Sequence, residues 1–208
     1  GKQYLDRLDR SGAEIWLRGE RIAGPISAHA AFCGLVATQA ELYDMQGEDD
    51  WRQAMTYESP TSGEPVGLSF LRPRTICDLR RRRTMMSLWA GRHHGFLGRS
   101  PDYMNTAVMA FAAAAPLLED HSPAFADNMR RYYEHCREND ITLSHAFIVP
   151  HSARMSSFMK TLEQPDAPHV VERTKDAIVV SGAFLLATQA ATADELLIFP
   201  APLPSLAE

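Results

Sequence analysis

ITLSHAFIV, residues 141–149, is where the chain changes character. Its residues alternate, and a period of two puts Ile141, Leu143, His145, Phe147 and Val149 on one face, the pattern of a strand. HVVERT (169–174), AIVVSGAFLLAT (177–188) and ELLIFP (195–200) follow, rich in β-branched residues with turn signals between them. Everything upstream reads as mainly helical. The chain therefore reads as α+β, with a helical domain over residues 1–139 and the start of a β domain over residues 140–208. The strands stop abruptly at FPAPLPSLAE, which points to a fragment of a longer protein, and the opening Gly1 in place of Met points to a processed start.

Working back, YLDRLDR (4–10) is a short amphipathic helix, and AEIWLRGERI (13–22) a hairpin turning near Arg18-Gly19. SAHAAFCGLVATQAELYDM (27–45) reads as one helix, and residues 46–73 as a long loop with a strand near 66–70. Thr75 starts a helix, because Asp78 three residues on completes a capping box; Leu79, Met86, Trp89 and Ala90 give its apolar face and it ends near Gly95–Gly98. Arg80–Arg83 read as a solvated face of that helix. Ser100 as cap, Pro101 at the first position and Asp102 in the first turn start the next helix, which runs to about Ala115. SPAFADNMRRYYEHCREN (122–139) repeats the Ser-Pro start.

Composition narrows the function. With 208 residues, 45% of them hydrophobic, the chain can bury a sizeable core. A net charge of −5 argues against a general nucleic-acid binder. AVMAFAAAAPLL (107–118) is too short, and too broken by Pro116, for the roughly 20 residues of a membrane span. Three widely spaced cysteines, Cys33, Cys77 and Cys136, read as free thiols of a cytoplasmic protein. No dinucleotide fingerprint, P-loop, HExxH or GxSxG occurs, and the scattered histidines give no metal set.

GRSPDY (98–103) keeps a residue of chemistry that the local rules leave over. Arg99 precedes a helix N-terminus, where backbone N–H groups and the dipole already favour an anion. As a bland alternative it is a surface or C-capping cation, and Tyr103 a packing residue. Together they suit a carboxylate or a phenolate. His145 on an apolar strand is in most proteins a satisfied core residue, yet a buried imidazole kept neutral accepts a proton. Arg99, Tyr103 and His145 are thus a candidate set to hold and deprotonate a phenol.

The order EIWLRGERI, LRPRTICDLRRRR, GRSPDY, SHAFIVP and IVVSGAFLLAT…ADELLIFP resembles the large oxygenase component of the 4-hydroxyphenylacetate 3-hydroxylase family, over nearly the whole chain. The resemblance implies a two-component monooxygenase using reduced FAD and O₂, with an acyl-CoA-dehydrogenase-like fold: a helical domain, a middle β-barrel and a C-terminal helical bundle that this chain lacks. It implies a separate NAD(P)H:flavin reductase, a phenolic substrate, a homo-oligomer (a tetramer in the family), and ortho-hydroxylation of a phenol to a catechol through a flavin C4a-hydroperoxide. By the same resemblance, Arg99 and Tyr103 contact substrate within Arg99, Ser100, Pro101, Asp102 and Tyr103, and His145 is the histidine of the reaction. His151, Ser152, Ala153, Arg154 and Thr188 contact flavin; Ala153 stands where relatives carry an acid. Ala201 and Pro202 stand where some relatives place small polar residues against substrate, which implies a different acid group, or none, at the substrate's far end. Alternatives are a halophenol monooxygenase of the same family, a relative of the acyl-CoA dehydrogenases, and a non-catalytic fragment unable to hold flavin alone. The family's dehydratase branch needs cysteines near GRSPDY, and none is there.

Overall fold

The computed structural model describes residues 1–148, 150 and 168–199. In chain order the elements are α1 (Lys2–Arg10), β1 (Trp16–Leu17), β2 (Glu20–Arg21), α2 (Cys33–Asp44), α3 (Asp49–Met55), β3 (Thr56–Glu58), β4 (Pro65–Gly67), α4 (Ile76–Arg92), α5 (Asp102–Ala113), α6 (Pro123–Asn139), β5 (Leu143–Ala146), β6 (His169–Arg173), β7 (Ile178–Ser181) and β8 (Glu195–Ile198). The chain is α+β. It divides into two compact units, Gly1–Leu143 with Ala191–Glu195, and Ser144–Ala190 with Leu196–Glu208.

The first unit holds two apolar clusters. Leu42, Met45, Met55, Leu68, Met85, Trp89 and Leu97 form one. Tyr4, Leu8, Ile26, Val36, Ala40 and Tyr43 form the other, under α1. The Trp89 indole N–H donates to Leu42 O at 3.0 Å, so this large side chain is buried without an unmet donor. The segment 191–195 belongs here because Asp194 is gripped twice. Arg7 reaches its carboxylate through Nε (3.0 Å) and Nη2 (2.9 Å), and the Thr142 N–H donates to it at 2.8 Å.

Several elements start and stop as the sequence predicts. The β1–β2 hairpin turns at Arg18 (φ 54°) and Gly19 (φ 85°). Thr75 and Asp78 form the reciprocal capping box of α4. Asp140 ends α6 in the left-handed region, φ 47°.

Other elements differ from expectation. Residues 27–45 are not one helix: a 3-10 turn, Ile26–Ala28, precedes α2. The expected loop over 46–73 contains α3, with Asp49 and Asp50 in its first turn, and a β3–β4 hairpin in register Thr56↔Gly67, Tyr57↔Val66, Glu58↔Pro65. The expected strand near 66–70 is β4 followed by a 3-10 turn, Leu68–Phe70. Helix α4 stops at Arg92, short of Gly95, because His94 (φ 52°) and Gly95 (φ 74°) turn left-handed. Its buried face is Arg82, Met85 and Trp89, while Leu79 is 55% exposed. Arg80–Arg83 are therefore not a uniformly solvated face: Arg82 is 5% exposed.

In the second unit β5 and β8 pair, and β6 and β7 form an antiparallel hairpin with a register shift between Val170 and Glu172. The expected one-sided alternation of 141–149 is not what burial follows. Ile141 to Ala146 are buried on both faces, and Phe147 is 47% exposed. A strand covered on both sides carries no alternating signal.

Candidate active site

The turn between α4 and α5 is set by backbone geometry. Leu97 is buried and anchors it to the first core, whereas Phe96 stands out in solvent. Pro101 is already helical (φ −57°, ψ −29°), and Tyr103 N–H and Asn105 N–H donate back to Ser100 O (3.2 Å) and Pro101 O (3.1 Å). Ser100 does not cap with its side chain, as the sequence suggests. Its hydroxyl donates instead to the Asp102 carboxylate.

Arg99 and Tyr103 are brought together. The guanidinium carbon lies 4.3 Å from the centroid of the Tyr103 ring, a cation–π contact. Among the described residues no carboxylate lies within ion-pair distance of Arg99, and the Tyr103 ring is the group that holds its cation there. Tyr103 follows Arg99 by four positions across the start of α5, so the contact is local to the turn that leads into the helix.

Beneath this turn lies a buried polar cluster. Arg82 donates from Nη1 to Ser69 O (2.7 Å) and Leu71 O (2.6 Å), and from Nη2 to the Thr106 hydroxyl (2.5 Å). Burial pushes its guanidinium down from the usual value, and the negative charge of Asp102 works against that. Asn105, 1% exposed, donates its amide to Ser69 Oγ at 2.9 Å. Sequence reading missed this cluster. The spacing 82-85-89 was the available signal, since it puts Arg82 on the face that carries Met85 and Trp89.

In the second unit, His145 is 6% exposed. Its ring stacks on Phe147 (centroids 5.1 Å, 11°) and meets the edge of Phe199 (6.4 Å, 75°). Thr188 is exposed; its N–H donates to Leu186 O at 3.1 Å, and its carbonyl accepts the Ser144 hydroxyl at 2.6 Å. Leu186 (φ 59°) and Gln189 (φ 63°), both left-handed, make the tight turn that presents it. His151, Ser152, Ala153, Arg154, Ala201 and Pro202 lie outside the described residues. Among the described residues no group of three or more His, Cys, Asp or Glu is placed to hold a metal, and no helix is long and apolar enough to cross a membrane.

Residues 1–207 match the model of the family described as 4-hydroxyphenylacetate 3-hydroxylase, N terminal. The chain belongs to this family. It is 43% identical over 97% of its length to a protein of Bacillus subtilis (strain 168) named probable 4-hydroxyphenylacetate 3-monooxygenase, of which it covers 42%. Among solved structures it resembles an oxygenase component of 4-hydroxyphenylacetate 3-monooxygenase complexed with FAD and 4-hydroxyphenylacetate. That match has TM-score 0.83 and 39% identity, and covers 98% of this chain and 41% of that one. It shares its fold alone with a 4-hydroxybutyryl-CoA dehydratase of N. maritimus (TM-score 0.77, 15% identity, 95% of this chain and 39% of that one). The chain thus spans about 40% of the length of the relatives it matches.

Proposed function

We infer that the protein containing this chain is the oxygenase component of a two-component, FADH₂-dependent monooxygenase that ortho-hydroxylates a phenol such as 4-hydroxyphenylacetate to a catechol. The observation that carries this reading is Arg99: a cation without an acid partner among the described residues, laid on the Tyr103 ring at the start of α5. The FAD and 4-hydroxyphenylacetate bound in the 39%-identical structure supply the cofactor and the substrate class.

The roles follow from the side chains. Ring attack on an electrophilic oxygen is faster from a phenolate than from a phenol. Arg99 stabilises the negative oxygen, the Tyr103 hydroxyl positions it, and the anion shares the field of the α5 N-terminus. His145, an imidazole packed against Phe147, takes the phenol proton in this reading. Ser100, Pro101 and Asp102 shape the turn. Thr188 fits a cofactor contact, because it is an exposed residue on a turn whose backbone is tied down. It would hold the flavin with His151, Ser152, Ala153 and Arg154. Reduced FAD, when bound, supplies the electrons that activate O₂, one oxygen atom passing to the ring and the other to water. Ala201 and Pro202 would face the far end of the substrate.

The same reading gives the organisation. Residues 1–139 are the helical domain and residues 140–208 the start of a middle β-barrel completed by further chain. The partners are a separate NAD(P)H:flavin reductase and further copies in a cytoplasmic homo-oligomer, a tetramer.

The test is the full-length protein supplied with FAD, NADH, a flavin reductase, O₂ and 4-hydroxyphenylacetate. Catechol appearing in step with NADH oxidation supports the reading. NADH consumed into H₂O₂ alone, across a panel of para-substituted phenols, overturns it.

A further inference from the structure

Arg82 is a buried charged group that the mechanism above does not use. It is 5% exposed, and among the described residues no carboxylate is within ion-pair distance of it. The charge of Asp102 acts on it only at a distance, so most of the cost of taking this guanidinium out of water is met by its hydrogen bonds, and it is kept where its fork of donors is needed.

Its hydrogen bonds join two pieces of structure. On one side are the carbonyls of Ser69 and Leu71, flanking Phe70 in the strap that crosses α4, α5 and α6. The intervening carbonyl, Phe70 O, is taken by the Tyr133 hydroxyl of α6 at 2.6 Å, so the strap is fixed from a second direction. On the other side is the Thr106 hydroxyl of α5. Thr106 follows Tyr103 by three residues and Asp102 by four, so it lies on their side of the helix, one turn in. Asn105, bonded to Ser69 Oγ, ties the same turn of α5 to the same strap.

We propose that Arg82 is a positioning residue for the phenol site: it pins the first turns of α5 to the 69–71 strap and thereby sets where Arg99 and Tyr103 present their charge and hydroxyl. This rests on the reading of Arg99 and Tyr103 as phenol-binding. A lysine does not replace Arg82, because one ammonium cannot span two carbonyls and a hydroxyl in a planar fork.

Thr106 gives the sharpest test in the full-length protein, since Thr106→Val keeps the shape and removes only the acceptor, while Thr106→Ser keeps the hydroxyl. The measurements are the dissociation constant for 4-hydroxyphenylacetate, amide exchange at Tyr103 and Asn105, and Tm. Thr106→Val weakens phenol binding about 5-fold, the size of one lost hydrogen bond, and speeds exchange at both amides. Its Tm falls by no more than a few degrees. Thr106→Ser stays close to wild type, and Arg82→Lys weakens binding at least as much as Thr106→Val. Phenol binding unchanged in Thr106→Val overturns the proposal and leaves Arg82 as a strap anchor. Thr106→Ser as weak as Thr106→Val overturns it too, since the methyl packing and not the hydroxyl would then matter. A wild-type protein that binds no phenol sinks the reading of Arg99 and Tyr103, and the positioning role with it. Wild-type binding alongside indifferent variants sinks the positioning role alone.

Discussion

The guanidinium of Arg99 sits 4.3 Å above the ring of Tyr103, four residues on, and meets no acid among the described residues. The contact orients the cation without neutralising it. Arg99→Ala therefore removes charge stabilisation, and catechol formation per reduced flavin consumed falls on the order of 10²-fold. Tyr103→Phe keeps the ring beneath Arg99 and loses the hydroxyl, so the loss is smaller, about 10-fold, and the phenol still binds. Stopped-flow product yields on both variants check this. Equal losses in the two would mean that Arg99 acts through the tyrosine hydroxyl and not through its own charge.

His145 makes a different prediction. It is buried and stacked on Phe147, so a neutral amide of similar size fills its place without a large cavity. His145→Gln lowers kcat about 10²-fold with little change in phenol affinity, because general-base catalysis acts on the proton and not on binding. Supplying the substrate above the phenol's own pKa restores much of the rate. A variant that loses binding and regains nothing at high pH assigns His145 to packing.

What was legible in the sequence was local. Thr75 and Asp78 mark the start of α4 because a capping box is satisfied within three residues. Arg18-Gly19 marks a hairpin because the turn needs two left-handed residues. GRSPDY marks a helix start, since Pro101 and Asp102 signal it locally, whereas the contact of the Arg99 cation with the Tyr103 ring was not foreseen. Arg82 was not legible among its arginine neighbours, because what sets it apart is three acceptors, two of them backbone carbonyls of a strap ten or more residues earlier in the chain. The β3–β4 hairpin was missed for a related reason. Its loop is held by Ser59 and Ser62 donating to Glu138 of α6, a partner far away in sequence.

The cysteines divide by environment. Cys33 and Cys77 are exposed, while Cys136 is buried in α6 and burial pushes its thiol up to about 12. A thiol in that state is almost wholly protonated at pH 8 and out of reach of reagent. Iodoacetamide labelling of the native protein at pH 8, read by peptide mass, modifies Cys33 and Cys77 within minutes and Cys136 only after unfolding. Labelling of Cys136 at the same rate would place α6 outside the cooperative core.

Asp140 carries the clearest pH dependence. It sits at φ 47°, accepts the Gln46 amide on Oδ2 at 3.1 Å and gives its carbonyl to Arg7 Nη2 at 3.0 Å. Burial raises its carboxyl from 3.8 to about 6, with the Gln46 bond and the Arg7 charge opposing. The native state therefore binds this proton more tightly than the unfolded chain. Stability from this group falls as pH rises between about 4 and 6, and the full penalty applies above that window. Asp140→Asn removes it: asparagine tolerates the left-handed conformation, and its amide oxygen accepts the same Gln46 bond. The variant is more stable than wild type at pH 7 by up to about 3 kcal/mol and indistinguishable from it below pH 4. Unfolding midpoints from pH 4 to 8 read this directly. A variant less stable at pH 7 would show that the ionised carboxylate is held by Arg7 and Gln46 more strongly than burial opposes it, with the pKa below the ordinary value and the slope reversed.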